Sequence, residues 1–574
     1  MSGIMGMMDI ARRALAAEQL GVEVTSNNIA NVNTPGYSRQ KVIFETSPAI
    51  TFPYGPLGYG VSVEGIERAF DPFVTAKLDE NTSYLADYKA QKSDLEQVGS
   101  LFNETQDGGM NDLLASFWAS WGDVSDNPSG SGERQALLSN AQNLTDALNF
   151  RANQLVQQRT SITQRINPTM EEINSHAANI ANLNKQISET ETTEHPANDL
   201  RDQRQLELNK LSALLGVSYY TTGNGTINVS LADGTSLVEG ENAWQLQAGV
   251  TPSDTVSITW HGPGLTKDVT SAITSGQLGG IIKVRDEFIP QYQAELDDIA
   301  KELVAAVNTQ HSQGVGLELF ADTTSSNFIN TPDLGAPLVN NPSLAFGDRI
   351  TAGSFNIHVE DNTGASVVTA INITGATTLN DLVTALNAVP NISASIVTSG
   401  GENRLQITAD DANHSFGFSQ DTSHVLMALG VNTFFKGDSA YTIGVDDTLA
   451  SNPDLVAAGQ IDSITGAHPQ GDNRNGLTLA DMGNQPVGPS GLTFEDAYRQ
   501  LVSGIGLDAE QAGNNQTFFQ GLVDQFQQLR DSVSGVSLDE ELTNLIKYQR
   551  SYQAAAKMVT VGDELLQTLL SIKQ

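Results

Sequence analysis

The sequence predicts an α+β multidomain chain: terminal coiled-coil helices, a central helical bundle and two inserted, mainly-β domains. Three observations predict it. Apolar residues recur every seven positions near both ends of the 574-residue chain. Three stretches between the ends, 71–215, 276–319 and 441–534, keep a helical period. Two others, 216–275 and 320–440, drop to the period of two of a strand. Each β stretch leaves a helical stretch and returns to one, which makes it a nested insertion.

The terminal assembly domain is expected to hold residues 1–70 and 535–574. Met8, Leu15, Val22 and Ile29 fall at intervals of seven, and Ile4, Ala11 and Ala14 widen them into a stripe. Such a repeat makes a seam that needs another helix. The helix stops near Asn31, because Asn33, Thr34, Pro35 and Gly36 are breaker residues. At the other end Leu538, Leu545, Tyr552, Val559 and Leu566 repeat the interval, flanked by Leu542, Ala556 and Leu570. Ser537 is placed to cap that helix, with Glu540 completing a capping box. Both ends are poor in large aromatics, so two such helices bury little and favour association with copies of themselves. The nine heptad residues are therefore the predicted self-assembly set.

Asp71-Pro72 opens the helical region, and 112–121 gives a shorter repeat. Leu148, Leu155 and Ile162 are followed by Ile166, Ile173, Ile180 and Ile187, again spaced by seven. Pro168 near the phase change is expected to kink or interrupt that helix. Residues 286–309 and 494–533 add further amphipathic helices. In the first insertion, Asn224-Gly225 and Asp233-Gly234 are hairpin turn signals. In the second, strands are expected at 355–359, 367–373 and 405–408, with short helices at 379–386 and 424–429.

The chain carries 30 Lys+Arg against 67 Asp+Glu, a net charge of −37. Nucleic-acid binding needs basic patches, so that class is excluded. The absence of cysteine excludes disulfides, Cys-ligated metal and thiol catalysis. The charge is unevenly spread. Residues 1–45 sum to zero and 535–574 to −1, while 312–470 set Arg349, Arg404 and Lys436 against sixteen acids. Subunits meet most easily where like charge is not concentrated.

The search for chemistry finds little. Eight histidines (His176, His195, His261, His311, His358, His414, His424 and His468) are scattered, with no HExxH pair. Gly488-Pro489-Ser490-Gly491 lacks the spacing of a nucleophile elbow. Asp410-Asp411 and Asp446-Asp447 lie outside any EF-hand frame and read as solvated turns. His261-Gly262-Pro263-Gly264 reads as a plain turn, as does the sequon at Asn224. No catalytic, cofactor-binding or metal-ligating residue is assigned. No apolar run reaches the roughly 18 residues of a membrane span, so no membrane insertion is expected. Asp9, Arg12, Arg13, Glu18 and Glu23 break up any cleavable signal, so the chain taken alone reads as cytoplasmic.

One string is more specific. Ser26-Asn27-Asn28-Ile29-Ala30-Asn31-Val32-Asn33-Thr34-Pro35-Gly36-Tyr37-Ser38-Arg39 resembles the N-terminal signature of the flagellar axial family of rod, hook and hook-associated proteins. Val533-Ser534-Gly535-Val536-Ser537-Leu538-Asp539-Glu540-Glu541, with Tyr548-Gln549-Arg550-Ser551-Tyr552-Gln553-Ala554, resembles its C-terminal motif. Four internal strings resemble the hook-associated branch: Glu133-Arg134-Gln135-Ala136-Leu137, Ile180-Ala181-Asn182-Leu183-Asn184, Asn198-Asp199-Leu200-Arg201-Asp202-Gln203-Arg204 and Gly471-Asp472-Asn473-Arg474-Asn475-Gly476. These cover about half the chain; 320–440 matches nothing.

The resemblance implies a structural, non-enzymatic protein at the junction between flagellar hook and filament. It implies a homo-oligomer, with hook protein below, a second junction protein above, and an export chaperone on the C-terminal segment. It also implies type III export to the cell exterior without a cleaved signal, which replaces the cytoplasmic reading. The turn residues Asn27, Asn28, Asn31, Asn33, Thr34, Pro35 and Gly36 would fix the path out of the inner layer. Another axial protein (hook or distal rod) stays open, as does an axial scaffold carrying an enzymatic or adhesive insertion. The ends are expected to be loose in the monomer and to fold on assembly.

Overall fold

The computed structural model describes residues 2–52, 55–103, 108–191 and 196–572; His195 lies outside them. In chain order its helices are α1 (Ser2–Ala30), α2 (Pro72–Leu101), α3 (Met110–Asp126), α4 (Ser131–Thr190), α5 (Asn198–Leu214) and α6 (Gly276–Lys283). Then follow α7 (Ile289–His311), α8 (Leu379–Leu386), α9 (Val425–Leu429), α10 (Asp447–Ser451), α11 (Arg474–Asp481), α12 (Phe494–Ser534) and α13 (Leu538–Ile572). The α+β multidomain architecture is that of the sequence reading.

The chain divides into two compact units. One holds Met1–Asp94, Ser161–Asp286 and Ala509–Gln574; the other holds Leu95–Thr160 and Glu287–Asp508. The helical stretches of the sequence are shared out between both, with boundaries inside α2, α4 and α12.

In the first unit, the strands Gln40–Thr46 and Val61–Arg68 pair antiparallel, with a bulge at Ile43/Phe44. Residues 218–243 form a four-stranded meander and 245–268 a three-stranded sheet. Both expected hairpin turns are present. Gly225 and Gly234 take φ of +81° and +82°, where a side chain would be strained. Asn184 of α4 anchors this insertion: its Nδ2 donates to the carbonyls of Ile227 at 2.8 Å and Gly240 at 2.7 Å.

α4 runs as one continuous helix through Pro168, so the expected interruption is not present. Pro168 removes one N–H, but Ile162, Ile166, Met170 and Ile173 are buried along one face. Burial of four large apolar side chains outweighs one lost helical bond.

In the second unit, Glu402–Ala409 is the central strand of one sheet, paired with Ile392–Ser399, Asp322–Thr324 and Ile329–Asn330. Gly353–Asp361 is central in another, between Ser366–Ile373 and His414–Ser419. The expected strands fall inside these elements, and the expected short helices are α8 and α9, the latter beginning at Val425 after His424 in the left-handed region. The core gathers Phe117, Trp121, Phe434 and His311, with ring centroids 5.2 to 6.2 Å apart. His311 is fully buried. Its Nδ1 donates to the Asn432 carbonyl at 2.8 Å, and its Nε2 accepts from the Ala457 amide at 3.0 Å. Burial brings its pKa down to about 4, so it is a neutral, satisfied core histidine.

The internal strings are polar clasps. Arg134, almost wholly buried, donates to the Pro128 carbonyl at 2.7 Å and the Val456 carbonyl at 2.5 Å. Asn475 donates to the Ala457 carbonyl at 2.7 Å and accepts from Gln310 at 2.7 Å. Asp446 caps α10 by accepting from the Thr448 amide at 2.9 Å, and Asp411 accepts from the Asn413 amide at 2.8 Å.

Candidate assembly site

α1 and α13 pack against each other along their length. Three contacts set their direction. The Asn28 amide meets the Glu541 carboxylate at 2.9 Å. A Cβ added at Gly21 would lie 2.8 Å from the Tyr548 ring. A Cβ added at Gly562 would lie 3.0 Å from Cγ of Met8 and 3.2 Å from Cε of Met7. Each step of seven down α1 is thus a step of seven up α13, so the pair is antiparallel.

The seam follows heptads next to those read from the sequence. On α13 it runs through Glu541, Tyr548, Ala555 and Gly562; on α1 it runs through Met7, Ala14, Gly21 and Asn28, with Ala11 and Thr25 beside it. Met8, Leu15, Val22 and Ile29 are half-buried, as are Leu545, Val559 and Leu566. Leu538 and Tyr552 are exposed. Small residues hold the seam because they let the backbones approach, and each glycine receives a bulky knob from the other helix. Tyr548 also faces Phe44, with ring centroids 6.2 Å apart. Burial raises the Tyr548 phenol, and the nearby Glu18 and Glu541 raise it further.

α1 turns a second face, with Ala17 and Val24 buried, toward the strands Gln40–Thr46 and Val61–Arg68. Ile10 sits against Gly60, whose φ of +90° would strain any side chain there. Tyr59 donates to Asp9 at 2.7 Å.

The pairing leaves apolar surface uncovered on α13. Met558, Val561, Leu565, Leu569 and Ile572 are exposed at helical spacing, Ile572 to 76%. Leu538, Leu542 and Ile546 are exposed on the first turns.

The turn motif ends α1 as expected. The Asn31 amide donates to Oδ1 of Asn27 at 2.9 Å, and the Thr34 hydroxyl donates to Oδ1 of Asn31 at 3.0 Å. Gly36, with φ of +81°, passes over Leu206 of α5. Asn33 and Pro35 are exposed. Asn28 differs from its neighbours in being only 1% exposed. Its Oδ1 accepts from the Gln40 amide at 2.9 Å and from the Tyr37 hydroxyl at 2.8 Å. Its Nδ2 donates to the Gln40 carbonyl and to Glu541, each at 2.9 Å. Burial raises the Tyr37 phenol, and Asp199, Asp202 and Glu541 add to the shift.

Glu540 is ion-paired with Arg39, so its carboxylate serves the turn rather than the expected capping box. The Arg39 amide donates to the Ser534 carbonyl at 2.8 Å.

Asp202 is a site residue that sequence reasoning missed. It accepts from both the amide and the hydroxyl of Ser38 at 2.8 Å, and from Arg68 at 2.8 Å. Asp199 accepts from Gln40 at 2.8 Å. The string 198–204 is thus the seat of the N-terminal turn. The signal was present as a string resemblance, without a role. The same string meets 180–184, since Arg204 donates to Oδ1 of Asn184 at 2.7 Å.

Among the described residues, no helix is long and apolar enough to cross a membrane, and no group of three His, Asp or Glu could hold a metal ion.

Comparison with known proteins gives a consistent result. Residues 95–327 match the family described as the flagellar hook-associated protein FlgK helical domain. Residues 527–572 match the C-terminal family of flagellar basal body rod FlgEFG proteins, and residues 8–37 match flagella basal body rod proteins. The chain is 28% identical over 573 residues to flagellar hook-associated protein 1 of Salmonella typhimurium, covering 99% of this chain and 100% of that one. It is 26% identical over 612 residues to the protein of the same name from Bacillus subtilis, covering 99% and 98%. Its fold is similar to that of the flagellar hook junction protein FlgK from Burkholderia pseudomallei, with a TM-score of 0.55 at 19% identity over 80% of this chain and 100% of that one. The clasped turn, the paired terminal helices and these matches agree: the chain is similar along its length to flagellar hook-associated protein 1.

Proposed function

We propose that this chain is a structural subunit of the bacterial flagellum that forms the junction between hook and filament, self-assembling through its terminal helices. The observation that carries the mechanism is the apolar stripe Met558, Val561, Leu565, Leu569 and Ile572, left exposed once α13 has paired with α1. Contiguous exposed apolar surface marks an interaction site. A helix whose unsatisfied side repeats every three or four residues fits another helix. Residues 1–70 and 535–574 act as the assembly domain, and the β insertions 216–275 and 320–440 face solvent. The predicted heptad residues Met8, Leu15, Val22, Ile29, Leu545, Val559 and Leu566 flank the intramolecular seam and complete the surface offered to other copies.

In this reading hook protein lies below the ring and a second junction protein above it. A chaperone covers the C-terminal segment before type III export to the cell exterior. The role is structural rather than enzymatic, and no nucleic acid is involved. Deletion of the gene tests the reading: cells should keep hooks and lose attached filaments, with motility restored by the intact chain. Hooks that still carry filaments without this protein would overturn it.

A further inference from the structure

A cleft of about 820 Å³ opens in the first unit, walled by α5, the strands Val61–Arg68 and Ser218–Thr221, and the turn at 223–225. Three guanidiniums line it, those of Arg68, Arg201 and Arg204, in a chain of net charge −37. Two of them are neutralised. Arg201 grips Glu191 with two parallel bonds, Nε to Oε1 at 2.5 Å and Nη2 to Oε2 at 2.8 Å. Arg68 pairs with Asp202 at 2.8 Å and lies over the Phe70 ring, 4.0 Å from its centroid.

Arg204 differs from both. It is only 2% exposed, yet among the described residues no carboxylate pairs with it. Its Nη1 donates to two neutral oxygens, Oδ1 of Asn184 at 2.7 Å and the Gly225 carbonyl at 2.8 Å. Its Nε is buried with no hydrogen-bond partner. A buried guanidinium that meets only neutral dipoles keeps much of its desolvation cost uncompensated. The surrounding field adds to that cost. Burial, then Arg201 and Arg68, bring the Arg204 pKa down to about 10, and Glu191 opposes them only in part. The potential at Arg204 is therefore positive. Glu64 and Glu67 also line the cleft, but both are exposed and screened by solvent. A guanidinium has five N–H donors. Arg204 keeps Nε and Nη2 for a ligand, and Arg201 keeps Nη1.

We propose that this cleft binds a small oxyanion of the phosphate or sulfate class, with Arg204 at its floor supplying the unneutralised charge and Arg201 a second donor. So little of Arg204 is exposed that only a small ion reaches it, and a tetrahedral ion turns oxygens toward both arginines at once. Glu191, Arg201, Arg204 and the turn at 223–225 all lie outside residues 1–70 and 535–574. The site is thus a property of the single chain whatever the state of its ends, and it is independent of the junction role.

Isothermal titration of the purified full-length chain with sodium phosphate tests it, together with melts in phosphate, sulfate and acetate against sodium chloride of matched ionic strength. Binding should saturate at one site, and the melting midpoint should rise with phosphate, because a ligand taken only by the folded state stabilises it by mass action. Acetate carries the chemistry of an acidic side chain and should shift the midpoint less. Arg204→Gln should weaken phosphate binding at least about tenfold, the worth of a charge-assisted hydrogen bond. Thr221→Glu changes an exposed residue on the same strand face as Tyr219, and both line the cleft. It places a carboxylate in the cleft and should abolish the phosphate response while circular dichroism shows the fold intact, so the test stands even if Arg204→Gln fails to fold. The proposal is overturned if phosphate and chloride give the native chain the same midpoint, or if acetate shifts it as far as phosphate. It is also overturned if Thr221→Glu responds as the native chain does. None of these outcomes bears on whether deletion strains lose their filaments.

Discussion

The side-chain amide of Asn28 in α1 donates to the carboxylate of Glu541 in α13 at 2.9 Å, joining the two ends of the chain. Around this bond lie the turn, the helix pair and the seat on α5.

Two glycines of α1 should respond oppositely to the same substitution. Gly21→Ala places a Cβ 2.8 Å from the Tyr548 ring, while at Gly6 an added Cβ meets nothing within 4 Å. Gly6→Ala should stabilise α1 by about 0.5–1 kcal/mol through helix propensity. Gly21→Ala should lower the thermal midpoint, and Tyr548→Leu in the same chain should recover part of the loss. Circular dichroism melts of the four chains check this.

Asp202→Ala should be among the most damaging single changes in the first unit. It leaves Arg68, whose side chain is 11% exposed, without its carboxylate, and leaves the Ser38 amide unpaired. Breaking a buried pair from one side costs about 3–5 kcal/mol. Urea unfolding should show the loss, and Asp202→Asn should recover only part of it, because the charge partner is still missing.

The buried Asp79 carboxyl gives the chain a pH dependence. Burial pushes it up to about 7, against hydrogen bonds from Tyr219 and Gln205 that favour the charged form. The native state therefore holds this proton more tightly than the unfolded chain does. The contribution is intact below the ordinary carboxylate range and is lost as pH rises toward 7. Between pH 5 and 8 the loss is on the order of 2 kcal/mol. In Asp79→Asn the fall in melting temperature over that range should be visibly shallower than in the native chain.

The exposed face of α13 should separate assembly from folding. Leu565→Glu and Leu569→Glu change side chains that are 44% and 43% exposed, so the melting temperature of the purified chain should move by less than about 0.5 kcal/mol equivalent. Swimming on soft agar and filament attachment in electron micrographs should be lost. Normal filaments on cells carrying both changes would remove α13 from the assembly interface.

Much of the fold was legible because its signals are local. Asn33 to Gly36 end α1 by backbone chemistry that needs no partner, and the hairpin glycines at 225 and 234 act within five residues. Pro168 does not break α4, because burial at Ile162, Ile166, Met170 and Ile173 outweighs one lost helical bond, which a window of sequence cannot weigh. The seam between α1 and α13 was not legible for a different reason. Periodicity counts apolar residues, and the inner face is built from Ala14, Gly21 and Asn28, which carry little apolar signal. Its partner positions on α13, Glu541 and Gly562, hide in the same way. Asp202 had no local signature at all, since its partners Ser38 and Arg68 lie more than 130 positions away.

The sequence by itself determined most of the helices, the hairpin turns, the breaker turn and the neutral, heptad-bearing ends. These follow from propensity, periodicity and turn chemistry, all short-range along the chain. Only the tertiary structure decided which face of each terminal helix turns inward. It alone joined Asn28 to Glu541, seated the turn on Asp202, and left Met558 to Ile572 uncovered. Those choices depend on close approach of backbones and on completing the hydrogen bonds of buried polar groups, and both are settled only when distant segments meet.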